Sequence, residues 1–195
     1  MIVLYPILFY FTLLLLGCQQ KESERTENNF NSFLERFETK ELPYSFDIEF
    51  LKHSQTEISP LDTQLVSLFI EKNKMFGGDI NLFDIYKYYP LYKFSVIGSF
   101  QGAIVKRQGG AGGVEDLYYL ITYIDTGNIL SHLTMSKQVG DCSRLQIQTG
   151  DINKSLQIEI NSMIFINGCE NDNYTLQSKI SKKYKISKSG NITEL

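Results

Sequence analysis

LYYLITYI, residues 117–124, decides how this chain must fold. A strand with one face in water alternates apolar and polar residues, whereas a strand covered on both faces reads as an unbroken apolar run. Here only Thr122 interrupts the run. The stretch is predicted to be a central strand with a layer over each face. Asp125-Thr126-Gly127-Asn128 then supplies a tight turn, and Ile129, Leu133 and Met135 lie on the apolar face of the next strand.

Upstream, Tyr92, Phe94 and Val96 alternate with Lys93 and Ser95, and a second short run covers residues 103–108 before GGAGG at 109–113. Residues 79–91 fit either a short helix or an irregular aromatic segment. Downstream, Leu145 and Ile147 alternate with Arg144, Gln146 and Gln148. After a turn at Gly150–Lys154, Leu156, Ile158 and Ile160 oppose Gln157, Glu159 and Asn161. The stretch 174–187 places Tyr174, Leu176, Ile180, Tyr184 and Ile186 on one face, with Lys179, Lys183 and Lys185 on the other. Loops this short join antiparallel neighbours, because a parallel crossover needs a dozen residues or more.

The cover for the central strand is expected from the first third of the chain. Phe30, Phe33, Leu34 and Phe37 follow helical spacing, with Asn28 or Asn29 as a cap and Pro43 beyond the end. SFDIEFLK, residues 45–52, alternates as a half-buried strand. Ser59-Pro60-Leu61-Asp62 reads as a helix start, with Leu61, Leu65, Leu68 and Phe69 on its apolar face and Gly77-Gly78 past its end near Lys74. The expected fold is α+β, two N-terminal helices packed on an antiparallel meander of about seven strands, in one domain over residues 30–195. Whether the sheet closes into a barrel is left open.

With 195 residues, 43% hydrophobic and 21% charged, the composition is that of a folded globular chain. A net charge of −3 argues against a nucleic-acid binder, which needs a basic surface to release counterions. Residues 1–17, MIVLYPILFYFTLLLLG, carry no charge and sit at the lower length limit for a helix crossing a ~30 Å hydrocarbon layer. Pro6 weakens such a span, and the length suits a secretory signal. Leu15-Leu16-Gly17-Cys18 resembles the lipobox of bacterial lipoproteins, although the segment before it lacks Lys or Arg. That resemblance implies cleavage before Cys18, a diacylglyceryl group on its thiol and acylation of its new amine. Residues 1–17 are then a signal peptide and 18–29 a flexible tether. An uncleaved membrane anchor is the alternative.

Gln19 after the cysteine matches the sorting pattern for the outer membrane. Lys21-Glu22-Ser23-Glu24 resembles the acidic export tags of Bacteroidota surface lipoproteins, and a plain solvated tether fits it as well. The whole chain looks like the small lipoproteins of Bacteroidota envelopes, a likeness that implies a location and no activity. If Cys18 carries lipid, Cys142 and Cys169 are left as a pair, and an exported protein would join them in a disulfide. Two free buried thiols are the other reading.

Catalytic constellations are sparse. His53 and His132 lack metal-ligand spacing, so no metal or cofactor is expected. A Cys142–His132 nucleophile has nothing nearby to lower the thiol pKa except Arg144. Lys106-Arg107-Gln108 before the glycines is followed by Val114-Glu115-Asp116, an acidic run that would repel phosphate. No G-x-S-x-G elbow occurs. Glu115-Asp116 or Asp47 with Glu49 offer carboxylates to a glycosidase, but acids at strand ends commonly keep an edge soluble.

Two surfaces are candidates for contact. Tyr86, Tyr88 and Tyr89, with Tyr92, crowd around Pro90 and would stack on sugars or anchor a partner if exposed, or form core if buried. Lys179, Lys183 and Lys185 form a basic stripe suited to anionic lipid, polysaccharide or the protection of a strand edge. The expected function is a non-enzymatic binding module on the envelope membrane with a protein or glycan partner. The rivals are an envelope hydrolase acting on glycan or peptide and an immunity or inhibitor lipoprotein that blocks an effector through its hairpin loops.

Overall fold

The computed structural model of the chain describes residues 28–47, 58–71, 86–96, 100–109, 116–141, 143–166 and 174–195. Cys18, Cys142, Cys169 and His53 lie outside the described residues, as do Glu49, Glu115, most of the GGAGG run and the second half of SFDIEFLK.

Among the described residues ten strands form a single sheet: β1 (Glu38–Thr39), β2 (Tyr44–Phe46), β3 (Tyr86–Val96), β4 (Phe100–Gly109), β5 (Asp116–Tyr123), β6 (Ile129–Gly140), β7 (Arg144–Ile152), β8 (Gln157–Ile166), β9 (Thr175–Ile186) and β10 (Ile192–Glu194). Their order is β1-β3-β4-β5-β6-β7-β8-β9-β10, with β2 beside β7. Every pairing is antiparallel except that of β1 with β3.

The α+β class with two helices on about seven strands is corrected by this sheet. Strands hold 63% of the described residues, so the protein is mostly β. Among the described residues helix is limited to 28–35 and to the four-residue helix α1 (Thr63–Val66), which runs into a π-helical turn, Ser67–Glu71. The second helix begins later than Ser59-Pro60 suggests. Leu61 N–H is engaged by the Tyr88 carbonyl at 2.7 Å, which holds this stretch along the edge of β3. Asp62 is therefore the cap, accepting from Leu65 N–H at 2.9 Å. Residues 86–91, read as helix or irregular, are the first half of β3. Proline is accepted there because Pro90 lies at a β-bulge, where the register with β4 shifts.

β5 is buried along its length from Leu117 to Tyr123, as its continuous apolar run demands. On one face Tyr119, Ile121 and Tyr123 meet Phe30, Phe33, Phe37, Phe69 and Ile70 from the two helical pieces. The stripe read from Phe30 to Phe37 is thus core. Tyr123 fastens this lid: its ring lies 5.3 Å from Phe30, and its hydroxyl donates to the Phe69 carbonyl at 2.9 Å. Burial raises the Tyr123 pKa well above the ordinary phenol value.

On the opposite face, Tyr118 and Leu120 pack with Phe94, Phe100 and Met135 against Phe46, Ile152, Ile158, Ile160 and Ile186. Those last residues belong to the far half of the same sheet, so the sheet curls over its own second face. The curl becomes possible where β6 leaves β7. Their pairing covers Lys137–Gly140 with Leu145–Gln148, and β2 takes over at Gly150–Ile152. Thr122 closes the arrangement, donating to the Gly190 carbonyl at 2.7 Å in the turn between β9 and β10. Gly102 permits tight packing of β3 on β4, since a Cβ there would sit 2.3 Å from Phe94 Cζ.

Candidate interaction surface

β9 is the long strand that the curl leaves outside. Its inner edge pairs with β8 from Gln157↔Lys185 to Ile166↔Thr175. Its outer edge meets β10 only at Tyr184–Ile186, with one further bond from Leu195 N–H to the Lys183 carbonyl at 2.9 Å. Beyond that point, among the described residues, no strand pairs with the outer edge of Thr175–Lys182.

The register sorts the side chains of β9. Lys179, Lys183 and Lys185 stand opposite Met163, Glu159 and Gln157, on one outward face. Lys182, Tyr184 and Ile186 stand opposite Ile160, Ile158 and the end of β10, on the face that leads into the core. The sequence reading put Leu176 and Ile180 together. A register shift between Ile164 and Phe165 separates them, bringing Leu176 opposite Phe165 on the lysine face and Ile180 opposite Ser162 on the other.

Both residues are open to water, with Leu176 51% and Ile180 55% exposed. Tyr174 and Leu195 are the other exposed large hydrophobic residues among those described, and both adjoin β9. Neighbouring positions are half-buried: Leu145 and Ile147 on β7, and Met163 to Ile166 on β8.

Charge on β9 is of one sign, since Thr175–Ile186 contains four lysines and no acid. Lys182 is held by Glu194 of β10 at 3.1 Å, and that contact raises its pKa. Asp151 and Glu159 face each other across β7 and β8 in register with Lys183, and Glu159 accepts from the Ser181 hydroxyl at 3.3 Å. Two grooves border the strand. One, of about 340 Å³, lies between Leu133, Lys137, Gln148, Ile180 and Lys182. The other, of about 380 Å³, lies between Tyr44, Asp151, Gln157, Lys183 and Leu195.

The tyrosine cluster is not assembled as an exposed platform. Tyr88 is buried core, and Tyr86 is half-buried with the Arg107 guanidinium 4.2 Å over its ring. Tyr89 is half-buried on the other side of the strand from Tyr88. Tyr92 instead joins Tyr44 (rings 4.8 Å apart) under Lys40, and burial with the Tyr92 contact raises the Tyr44 pKa. Asp116, offered as a catalytic carboxylate, is paired with Lys106 at 3.1 Å. His132 is exposed on β6, and desolvation lowers its pKa, favouring the neutral ring. Among the described residues no group of three or more His, Cys, Asp or Glu is placed to hold a metal, and no helix is long and apolar enough to cross a membrane.

Lys182, Glu194 and the Asp151–Glu159 pair were not singled out from sequence. Alternation alone could have put Lys182 on the apolar face, but the acids are recognisable only once the strand registers are known. No family model, curated protein or solved structure matches this chain.

Proposed function

We propose that the chain is a membrane-tethered interaction module of the bacterial cell envelope, anchored through lipidated Cys18 and binding its partner on β9. The observation that carries this reading is that Tyr174, Leu176, Ile180 and Leu195, the exposed large hydrophobics among the described residues, all lie on or beside one lysine-rich strand, distributed over its two faces. Isolated exposed hydrophobics are ordinary, but a group of them rimmed by charge marks a contact surface. An apolar centre supplies affinity, and the lysines steer approach and select against partners of like charge. The tether suits the task, since residues 18–27, ahead of the helical stretch that opens at 28, reach at most about 35 Å when fully extended and confine encounters to the membrane surface.

The test is photo-crosslinking in cells, with the reactive side chain at Leu176 or Ile180 and, as control, at the turn residue Ser189. A discrete adduct from the two β9 positions and none from Ser189 is the expected result. Equal yields at all three positions, or no adduct, would contradict the reading. Membrane fractionation of Cys18→Ser tests the anchor separately: the variant is expected to lose the acyl mass and leave the membrane fraction.

A further inference from the structure

We infer that the outer edge of Thr175–Lys182 accepts an extended acidic polypeptide as an added antiparallel strand, continuing the line of β10. This rests on the proposal that β9 is the binding surface and specifies the partner's chemistry and mode of docking.

The backbone is the first argument. Eight residues of β9 extend past the last bond to β10, a length of about 27 Å. Along an unpaired strand edge, N–H and C=O groups alternate and form a template for another strand. β10 already uses this edge, antiparallel to β9 at Tyr184–Ile186, and the same geometry continues along Ser178–Lys182 up to the register shift at Leu176–Ser178.

Charge decides the partner. β9 has lysines on both faces, Lys179 and Lys183 on one and Lys182 on the other. A flat anionic membrane lying on one face would meet only part of that set. A strand seated on the edge passes both faces, because its own side chains alternate. The molecule holds an example of the match, since Glu194 of β10 reaches Lys182 at 3.1 Å. A second copy of β9 would set lysines beside lysines, so the same residues that admit an acidic strand oppose self-pairing. Ile180 and Leu176, exposed on opposite faces of the strand, offer apolar contact on either side of the added backbone.

The experiment uses the full chain in neutral detergent micelles. The probes are a fluorescent ten-residue peptide alternating Glu with Val and its counterpart with Lys in place of Glu. The acidic peptide is expected to bind at least tenfold tighter at 0.15 M salt, and to slow amide hydrogen exchange within Thr175–Lys182. The double variant Lys179→Glu, Lys183→Glu, at two exposed positions and checked for unchanged Tm, is expected to reverse the preference. Equal affinity for both peptides, or protection located away from β9, would overturn the inference. So would binding to phosphatidylglycerol vesicles without binding to the acidic peptide. If the peptides fail while crosslinks from Leu176 and Ile180 persist, edge addition is wrong and the interaction surface stands. If both fail, both fall.

Discussion

β5 and β9 belong to one sheet and meet opposite fates. β5 has the helical pieces over one face and the curled sheet over the other, and its residues from Leu117 to Tyr123 are all buried. β9 is longer, yet only its Ile186 end reaches the core, and its first nine residues are exposed but for Ser178. The difference lies in composition, an apolar run against a strand with four lysines, and in neighbours. β4 and β6 flank the whole of β5, whereas β9 has β8 along one side and three residues of β10 at one end of the other. Burial is therefore concentrated at β5, and β9 keeps an open outer edge among the described residues.

The largest expected effect is on the β5 side. Leu120→Ala empties a fully buried position and is expected to cost about 2–5 kcal/mol, whereas Ile180→Ala, more than half exposed, stays within about 0.5 kcal/mol. Urea denaturation of the two variants measures the contrast. Similar losses would mean that β9 belongs to the core, and the comparison would break.

Next in size is the lid. Tyr123→Phe keeps the tilted and edge-on ring contacts with Phe30 and Phe33 but leaves the Phe69 carbonyl without its donor, an expected loss of about 1–3 kcal/mol. Gly102→Ala should cost a similar amount, about 1–3 kcal/mol, because the new methyl overlaps the Phe94 ring unless that ring moves. Denaturation midpoints at constant m-value report both.

These two sites also mark what could be read from sequence. LYYLITYI identifies the central strand because burial on both faces leaves a composition that no half-exposed strand shares. The Phe30–Phe37 spacing identifies a core face for the same kind of reason. What that spacing does not say is how long the helix will be, so two short lids carry the same pattern as a full helical layer, and the pattern alone points to α+β where the fold is mostly β. β1, β2 and β10 have two or three residues each, too few for alternation to register. At β3 the tyrosines around Pro90 carry no period, since the bulge breaks it. At β9 the register shift moved Leu176 to the lysine face, and an inserted residue leaves no mark in composition. The exposed site was thus legible as a lysine stripe. Its open edge and its pairing with Glu194 depend on strand order, which no local pattern encodes.

The smallest expected effect lies at the hairpin between β6 and β7. The Asp141 carboxylate accepts hydrogen bonds from the Ser143 hydroxyl, Ser143 N–H and Arg144 N–H, and these lower its pKa. A depressed folded pKa stabilises the fold above the unfolded value and loses that contribution as pH falls through the folded one. Wild type should therefore lose a small increment of stability on acidification below about pH 4, and Asp141→Asn should lose less at this site. Difference titration of the two proteins by thermal melts reads it, and an increment that grows on acidification would have the wrong sign.

Amide hydrogen exchange across β5 and β9 in one sample tests the central claim most directly. The account predicts that amides of Leu117–Tyr123 exchange only on global unfolding, while outward-facing amides of Thr175–Lys182 exchange orders of magnitude faster. Equal, global-unfolding protection in the two strands would contradict it, because β9 would then have its edge filled and no place for a partner.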